Sequence, residues 1–191
     1  MASDPAGGTA ATTPEEVIAF WCEALGPEAW FTRSDDTDRK VAARLGALHR
    51  QAAAGALDDW AETPTGALAL VVLLDQVPRN LYRESAAAFA SDARARAVAR
   101  RALARGDDAR FDDIRRVLLL LPFEHSEHLA DQQWCLALFE NRIGDPTWCD
   151  YARRHHDVIA RFGRFPHRNR VLGRPDTAEE AAYLAEQPLG F

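Results

Sequence analysis

The sequence is short of every residue pattern that would take it out of the ordinary globular class. Cysteine is scarce: Cys22, Cys135 and Cys149 are odd in number and form no CxxC pair. That argues against a disulfide framework and a zinc knuckle, and leaves three plain buried thiols as the expectation. Long apolar runs are missing; the longest covers 67–74, against the roughly 20 residues that a membrane span needs. No basic stretch followed by an apolar one opens the sequence, so no secretory leader is expected. Residues 1–12, rich in Ala, Gly and Thr, read as a disordered tail. Positive charge is in deficit, with 23 Lys and Arg against 29 Asp and Glu and a formal net charge of −6. Nucleic-acid binding is therefore not expected as the main task. β-Branched residues are sparse, no segment alternates apolar and polar residues between turn signals, and no repeat of fixed period is visible. The expectation is a cytoplasmic chain without a membrane segment, with residues 13–191 forming a single helical domain.

What is present is helix punctuation. Thr13-Pro14-Glu15-Glu16 is a capping box with proline at the first helical position, and Gly26-Pro27 ends that helix. A second helix spans about 36 to 54, with Val41, Leu45 and Leu48 inward. A third opens at Thr63-Pro64 and is apolar on all sides over 68–74, the mark of a central helix. It is expected to end near Val77, because Pro78 has no amide to donate. Ser91 is read as the cap of a fourth helix, a fifth covers 113–121 up to Pro122, and Ser126 is read as the cap of a sixth that reaches Ile143. In the sixth, Leu129, Leu136 and Phe139 are placed inward. Asp145-Pro146 opens a seventh, with Trp148, Tyr151, His155, Ile159 and Phe162 inward, and a box at Thr177 to Glu180 starts a short last helix. The fold class expected is all-α: a compact bundle of seven or eight helices in antiparallel hairpins.

Three proline-marked segments carry dense polar clusters. The first holds Asp75, Gln76, Arg79, Asn80 and Arg83. The guanidinium of Arg79 suits a carboxylate or phosphate, and the alternative is that the cluster pairs internally. The second holds Glu124, His125, Glu127, His128 and Asp131. His125 is an acid–base candidate beside a carboxylate, and His155, on the apolar face of the seventh helix, is either a satisfied core histidine or a second such group. Histidine with carboxylate can hold zinc, iron or manganese. With neither HExxH nor the paired ExxH of di-iron bundles present, no metal and no cofactor are predicted. The adjacent His156-Asp157 pair lacks the remainder of a metal phosphohydrolase constellation. The third cluster, in the long segment 163–176, holds Arg164, His167, Arg168, Asn169 and Arg174; five arginines fall between Arg161 and Arg174. They are answered either by carboxylates of the chain or by an anionic ligand.

These residues resemble the family known as domain of unknown function 924. The matching pieces are Phe20-Trp21, Trp30-Phe31 and Asp38, then 74–80 (Leu-Asp-Gln-Val-Pro-Arg-Asn) with Tyr82-Arg83, Phe89 and Asp92. They continue with 121–127 (Leu-Pro-Phe-Glu-His-Ser-Glu), Asp131-Gln132, His155, 161–169 (Arg-Phe-Gly-Arg-Phe-Pro-His-Arg-Asn), Leu172-Gly173-Arg174 and Glu179-Glu180. The resemblance implies an all-helical, tetratricopeptide-like superhelix and no established activity. It also implies departures, since the family tends to carry a bulkier aliphatic where Val77 stands and a methionine where Glu124 stands.

Three functions follow from the clusters. The first is a polar pocket for a small anionic ligand. Asp75, Gln76, Arg79, Asn80, Arg83, Asp131, Arg164, His167, Arg168 and Asn169 would line it, and His125, His155 and Glu127 would be its catalytic candidates. The second is a helical module binding an acidic peptide or partner. The third is a buried ionic network that only holds the fold together. Oligomeric state is not legible.

Overall fold

Thr13 caps α1 (Pro14–Ile18) as the sequence predicts: its hydroxyl accepts from the Glu16 amide, and the Glu16 carboxylate accepts from the Thr13 amide. Two amides that a helix start leaves open are thereby satisfied. The structure, a computed structural model, describes residues 12–30 and 32–187. The expected tail, Thr12 apart, and Phe31 of the family resemblance lie outside them. Among the described residues every regular element is helical, and no helix is long and apolar enough to cross a membrane.

The chain divides into two units, Met1–Arg83 with Ala87–Leu119, and Glu84–Ala86 with Leu120–Phe191. In the first, α1 continues as a π-helical stretch, Ala19–Leu25, and is followed by α2 (Pro27–Trp30), α3 (Asp35–Ala53), α4 (Pro64–Val71), α5 (Val77–Leu81) and α6 (Asp92–Ala104). α4 is central, with α1 and α6 packed on it and α3 packed on α5. Leu68, Leu70, Leu73 and Leu74 are all but sealed from solvent, each worth about 1.5–3 kcal/mol on burial.

Pro78 does not end this helix. Its missing amide is absorbed by a π-helical turn, Val72–Gln76, in which the Val77 amide donates to Val72, five residues back. The chain then continues helically as α5. Three carbonyls in this region are caught by side chains. The His49 Nδ1–H donates to the Leu73 carbonyl at 2.8 Å, the Ser91 hydroxyl to the Leu74 carbonyl at 2.6 Å, and Arg79 to the Asp75 carbonyl. Leu74 is the residue that a normal amide at position 78 would have served. That use of its hydroxyl explains why Ser91, although at the N-cap of α6, makes no side-chain cap. Ser91→Ala is expected to cost about 1–3 kcal/mol by stranding that buried carbonyl. The loss is expected to be smaller in a Pro78→Ala background, where an amide is restored; urea-unfolding midpoints of the two single variants and the double variant check both.

α7 (Asp113–Glu124) passes through Pro122 rather than stopping there, and the His125 amide still bonds to the Leu121 carbonyl. One lost bond costs less than ending a helix whose residues 117–121 and 123 are all buried. The second unit holds the end of α7, α8 (Leu129–Leu138) with a π-helical extension Phe139–Ile143, α9 (Pro146–Phe162), a 3₁₀ turn at Pro166–Arg168 and α10 (Ala178–Glu186). α8 packs on α9. Their connection turns at Gly144, and α9 ends at Gly163. Both have φ near +70° (69° and 68°), a backbone that β-carbon-bearing residues avoid.

Two inward assignments are corrected in this unit. Leu129 and Tyr151 are 41% and 46% exposed, and the buried stripes are Gln132, Cys135 and Leu138 on α8, and Ala152, His155, Val158 and Ile159 on α9. Ser126 is not the cap of α8 either. His128 holds that position without a side-chain bond, while the Ser126 hydroxyl accepts from the His128 amide and donates to Asp131. All three cysteines are free thiols; Cys135 is buried, and Cys22 and Cys149 are half-buried.

Candidate functional site

The first arginine–asparagine pair sits at the π turn of the first unit. Asp75 is wholly buried and lies 3.3 Å from Arg79, with the Gln76 amide donating to it at 2.6 Å. Arg79 reaches Asp92 on α6 as a fork, with both N–H···O bonds at 3.0 Å, and its guanidinium lies 5.6 Å from the Phe89 ring centre. Burial works against the Arg79 charge, but Asp75 and Asp92 outweigh it and raise its pKa. Asn80 and Arg83 both donate to Asp38 on α3. The five residues read as one ligand cluster therefore pair within the protein as two sets, Asp75, Gln76 and Arg79 with Asp92, and Asn80 and Arg83 with Asp38.

The second pair behaves alike within the second unit. Arg168 donates to the His125 carbonyl at 3.1 Å and stacks 4.4 Å over the Phe165 ring. Asn169 donates to Asp176 and accepts from Arg174. Arg174 forks onto Glu127 at 2.7 and 2.9 Å, and the Phe165 amide donates to the same carboxylate at 2.8 Å. Burial pushes the Glu127 pKa up; the Arg174 bonds and the Phe165 amide pull harder, so the net shift is downward. Glu127 is thus a fixed anion with committed lone pairs, which suits it poorly to the catalytic role expected of it. Arg164 binds Glu180 through two nitrogens and holds its pKa down to about 2. The His167 ring lies 5.5 Å from Phe165, and Asp131 accepts from Ser126.

One group of different character remains. Glu124 closes α7 and His125 follows it, and His155 lies in the middle of α9. The three offer ligand atoms that all lie within 4.8 Å of one another. Glu124 and His155 are buried and His125 is half-buried. The His155 Nδ1 lies 3.4 Å from Glu124 and donates to the Tyr151 carbonyl at 2.8 Å, a bond that places the lone pair on Nε2. The imidazole rings of His125 and His155 are 6.1 Å apart. Burial first, and then the proximity of His125, drive the His155 pKa down to about 3. It is neutral throughout the physiological range. The sequence places Glu124 and His125 in one cluster and offers His155 as a second acid–base group, but does not join Glu124 to His155. His155 lies some 30 positions downstream, and no local spacing advertises the set.

The His155 shift has a consequence for stability. A histidine with a depressed folded-state pKa takes up its proton in the unfolded chain first, so stability falls as pH drops from about 6.5 towards about 3. Between pH 7 and pH 5 the ligand-free protein is expected to lose about 2 kcal/mol through this group. His49, also depressed by burial, adds to the same slope. Unfolding midpoints at both pH values check this, and His155→Gln should remove most of the difference.

Among the described residues the geometry is that of a helical protein in which two arginine–asparagine segments pair internally and Glu124, His125 and His155 cluster. The chain belongs to the family described as bacterial protein of unknown function DUF924, whose model matches residues 17–188. It is similar to a solved structure, protein of unknown function ATU0120 from Agrobacterium tumefaciens. The identity is 39% and the TM-score 0.86, over 91% of this chain and 97% of that one. No curated protein matches the chain.

Proposed function

We propose that the protein is a cytoplasmic small-ligand-binding protein whose site is Glu124, His125 and His155, with the arginine–asparagine segments as its frame. The observation that carries this reading is the contrast between the clusters. Arg79, Arg83, Arg164 and Arg174 each already hold a carboxylate of the chain, which supports the network reading for them and removes the reason to place an anion there. The imidazole pair instead gathers acceptor atoms around a neutral, buried ring, an arrangement costly to build without a use. His125, the half-buried member, is the group that a ligand reaches and the candidate for proton exchange. Thermal shifts across a panel of small cationic, neutral and anionic compounds test it. At about 100 times its dissociation constant a true ligand adds roughly 2.7 kcal/mol. That gain should vanish in His125→Gln while the ligand-free melting temperature stays near wild type. A variant that responds to every compound as wild type does would remove the site.

A second reading, a module for an acidic peptide, rests on an open groove of about 470 Å³ along α9 and α10, where Arg154 and Arg161 flank Phe162 and Tyr183. Arg161 is already drawn to Glu179, and Asp157 shares the lining, so the groove is of mixed charge. This reading requires acidic peptides to bind wild type and not Arg154→Glu.

A further inference from the structure

The ligand class at this site follows from how its three residues are held, and it rests on the reading above. We propose that Glu124, His125 and His155 form a two-histidine, one-carboxylate site for a single divalent transition ion of the zinc, manganese or iron(II) type. The donor set is right for such an ion: two imidazoles and one carboxylate suit borderline metals better than magnesium or calcium, which prefer oxygen alone. Two ligands about 2.1 Å from a tetrahedral ion sit roughly 3.4 Å apart. The ligand atoms of this set lie within 4.8 Å of one another without an ion, so a modest turn of the half-buried His125 ring closes the remaining distance.

The stronger argument is the outer layer. Metal-binding side chains are oriented by second partners, typically a carbonyl that fixes the histidine tautomer. His155 has such a partner on its ring, and His125 and Glu124 are held through their main-chain carbonyls. The Tyr151 carbonyl takes the His155 Nδ1–H at 2.8 Å, and the same nitrogen lies 3.4 Å from Glu124, so the orientation and tautomer of this ring are fixed. Arg168, stacked on Phe165, holds the His125 carbonyl at 3.1 Å. Gln132 donates to the Glu124 carbonyl at 2.6 Å. The polar frame thus has a purpose beyond stability: it fixes the main chain at Glu124 and His125 and the ring of His155. The Arg168 charge works against a cation, and the Glu124 carboxylate works for one. Three protein ligands leave coordination positions for solvent or a substrate, the pattern of reactive rather than sealed metal sites.

The test uses the full chain, stripped with chelator and titrated with Zn²⁺, Co²⁺, Mn²⁺ or Mg²⁺. One equivalent of Zn²⁺ or Co²⁺ per chain is expected after gel filtration, with visible Co²⁺ absorption bands and shifts in the His125 and His155 ring resonances. Mg²⁺ should not bind. His125→Gln and Glu124→Met should keep the wild-type helical signal and weaken Zn²⁺ by more than the ~10–100-fold that an outer partner costs. Less than one equivalent in wild type, or unchanged binding in His125→Gln, overturns the proposal, the latter by placing the ion elsewhere, as at His156 and Asp157. The ring resonances of the wild-type chain decide the matter if a variant fails to fold. If no metal binds but a panel compound still stabilises in a His125-dependent way, the metal is wrong and the site stands; if neither responds, both fail.

Discussion

Arg79→Ala is expected to destabilise the protein by about 3–5 kcal/mol, the cost of breaking a buried ion pair from one side. The size follows from what is stranded. Asp75 has no exposed surface and Asp92 has 6%, and both face the position that the guanidinium vacates. The Asp75 carbonyl loses its donor as well. For a chain of this length the melting temperature should fall by roughly 10 °C. The result separates the two roles available to this residue. An arginine waiting for an anion is dispensable to the empty protein, so a variant that melts like wild type would restore the ligand-binding reading of the first cluster. Arg79→Ala with Asp92→Ala should cost less than the sum of the two, because removing the second charge relieves part of what the first substitution strands.

How far the sequence was legible depends on how local each signal is. Capping boxes at Thr13 and Thr177 act over four residues and are legible in the sequence. Prolines 78 and 122 were over-read. Each removes one bond, and the burial of the apolar faces around them outweighs that loss, so the helices pass through. The price is a π turn and carbonyls served from elsewhere, and no local rule could show that Ser91, a good cap by type, is spent on Leu74. The same limit governs the candidate site. Arginine and asparagine in tandem stood out as a motif, but the partners of the first pair, Asp92 and Asp38, lie 13 and 42 positions away from Arg79 and Asn80. The sequence leaves open whether the motif is a binding face or pairs internally, because Asp38 and Asp92 are not local to it. Glu124, where the family tends to carry methionine, lies beside both histidines, and the 31 positions to His155 hide that from a local pattern.

Arg174 closes the second network, and its loss is the other large effect. Its guanidinium makes four bonds: one to Asn169, two to Glu127 and one to the Phe165 carbonyl. Together they tie the segment 163–176 to the start of α8. Arg174 and Glu127 retain 24% and 27% of their side-chain surface, so water softens the loss, and Arg174→Ala should cost about 2–3 kcal/mol rather than the full buried value. Arg174→Lys should recover less than half of it, because an ammonium cannot reproduce a planar fork to a carboxylate and a third bond to Asn169. Glu127→Gln removes the charge but keeps acceptor and shape, and should cost about 1–2 kcal/mol. Urea midpoints rank the three variants, and limited proteolysis within 163–176 should accelerate in the same order. A lysine variant as stable as wild type would mean that only the positive charge matters at this position, and that the fork holds nothing in place.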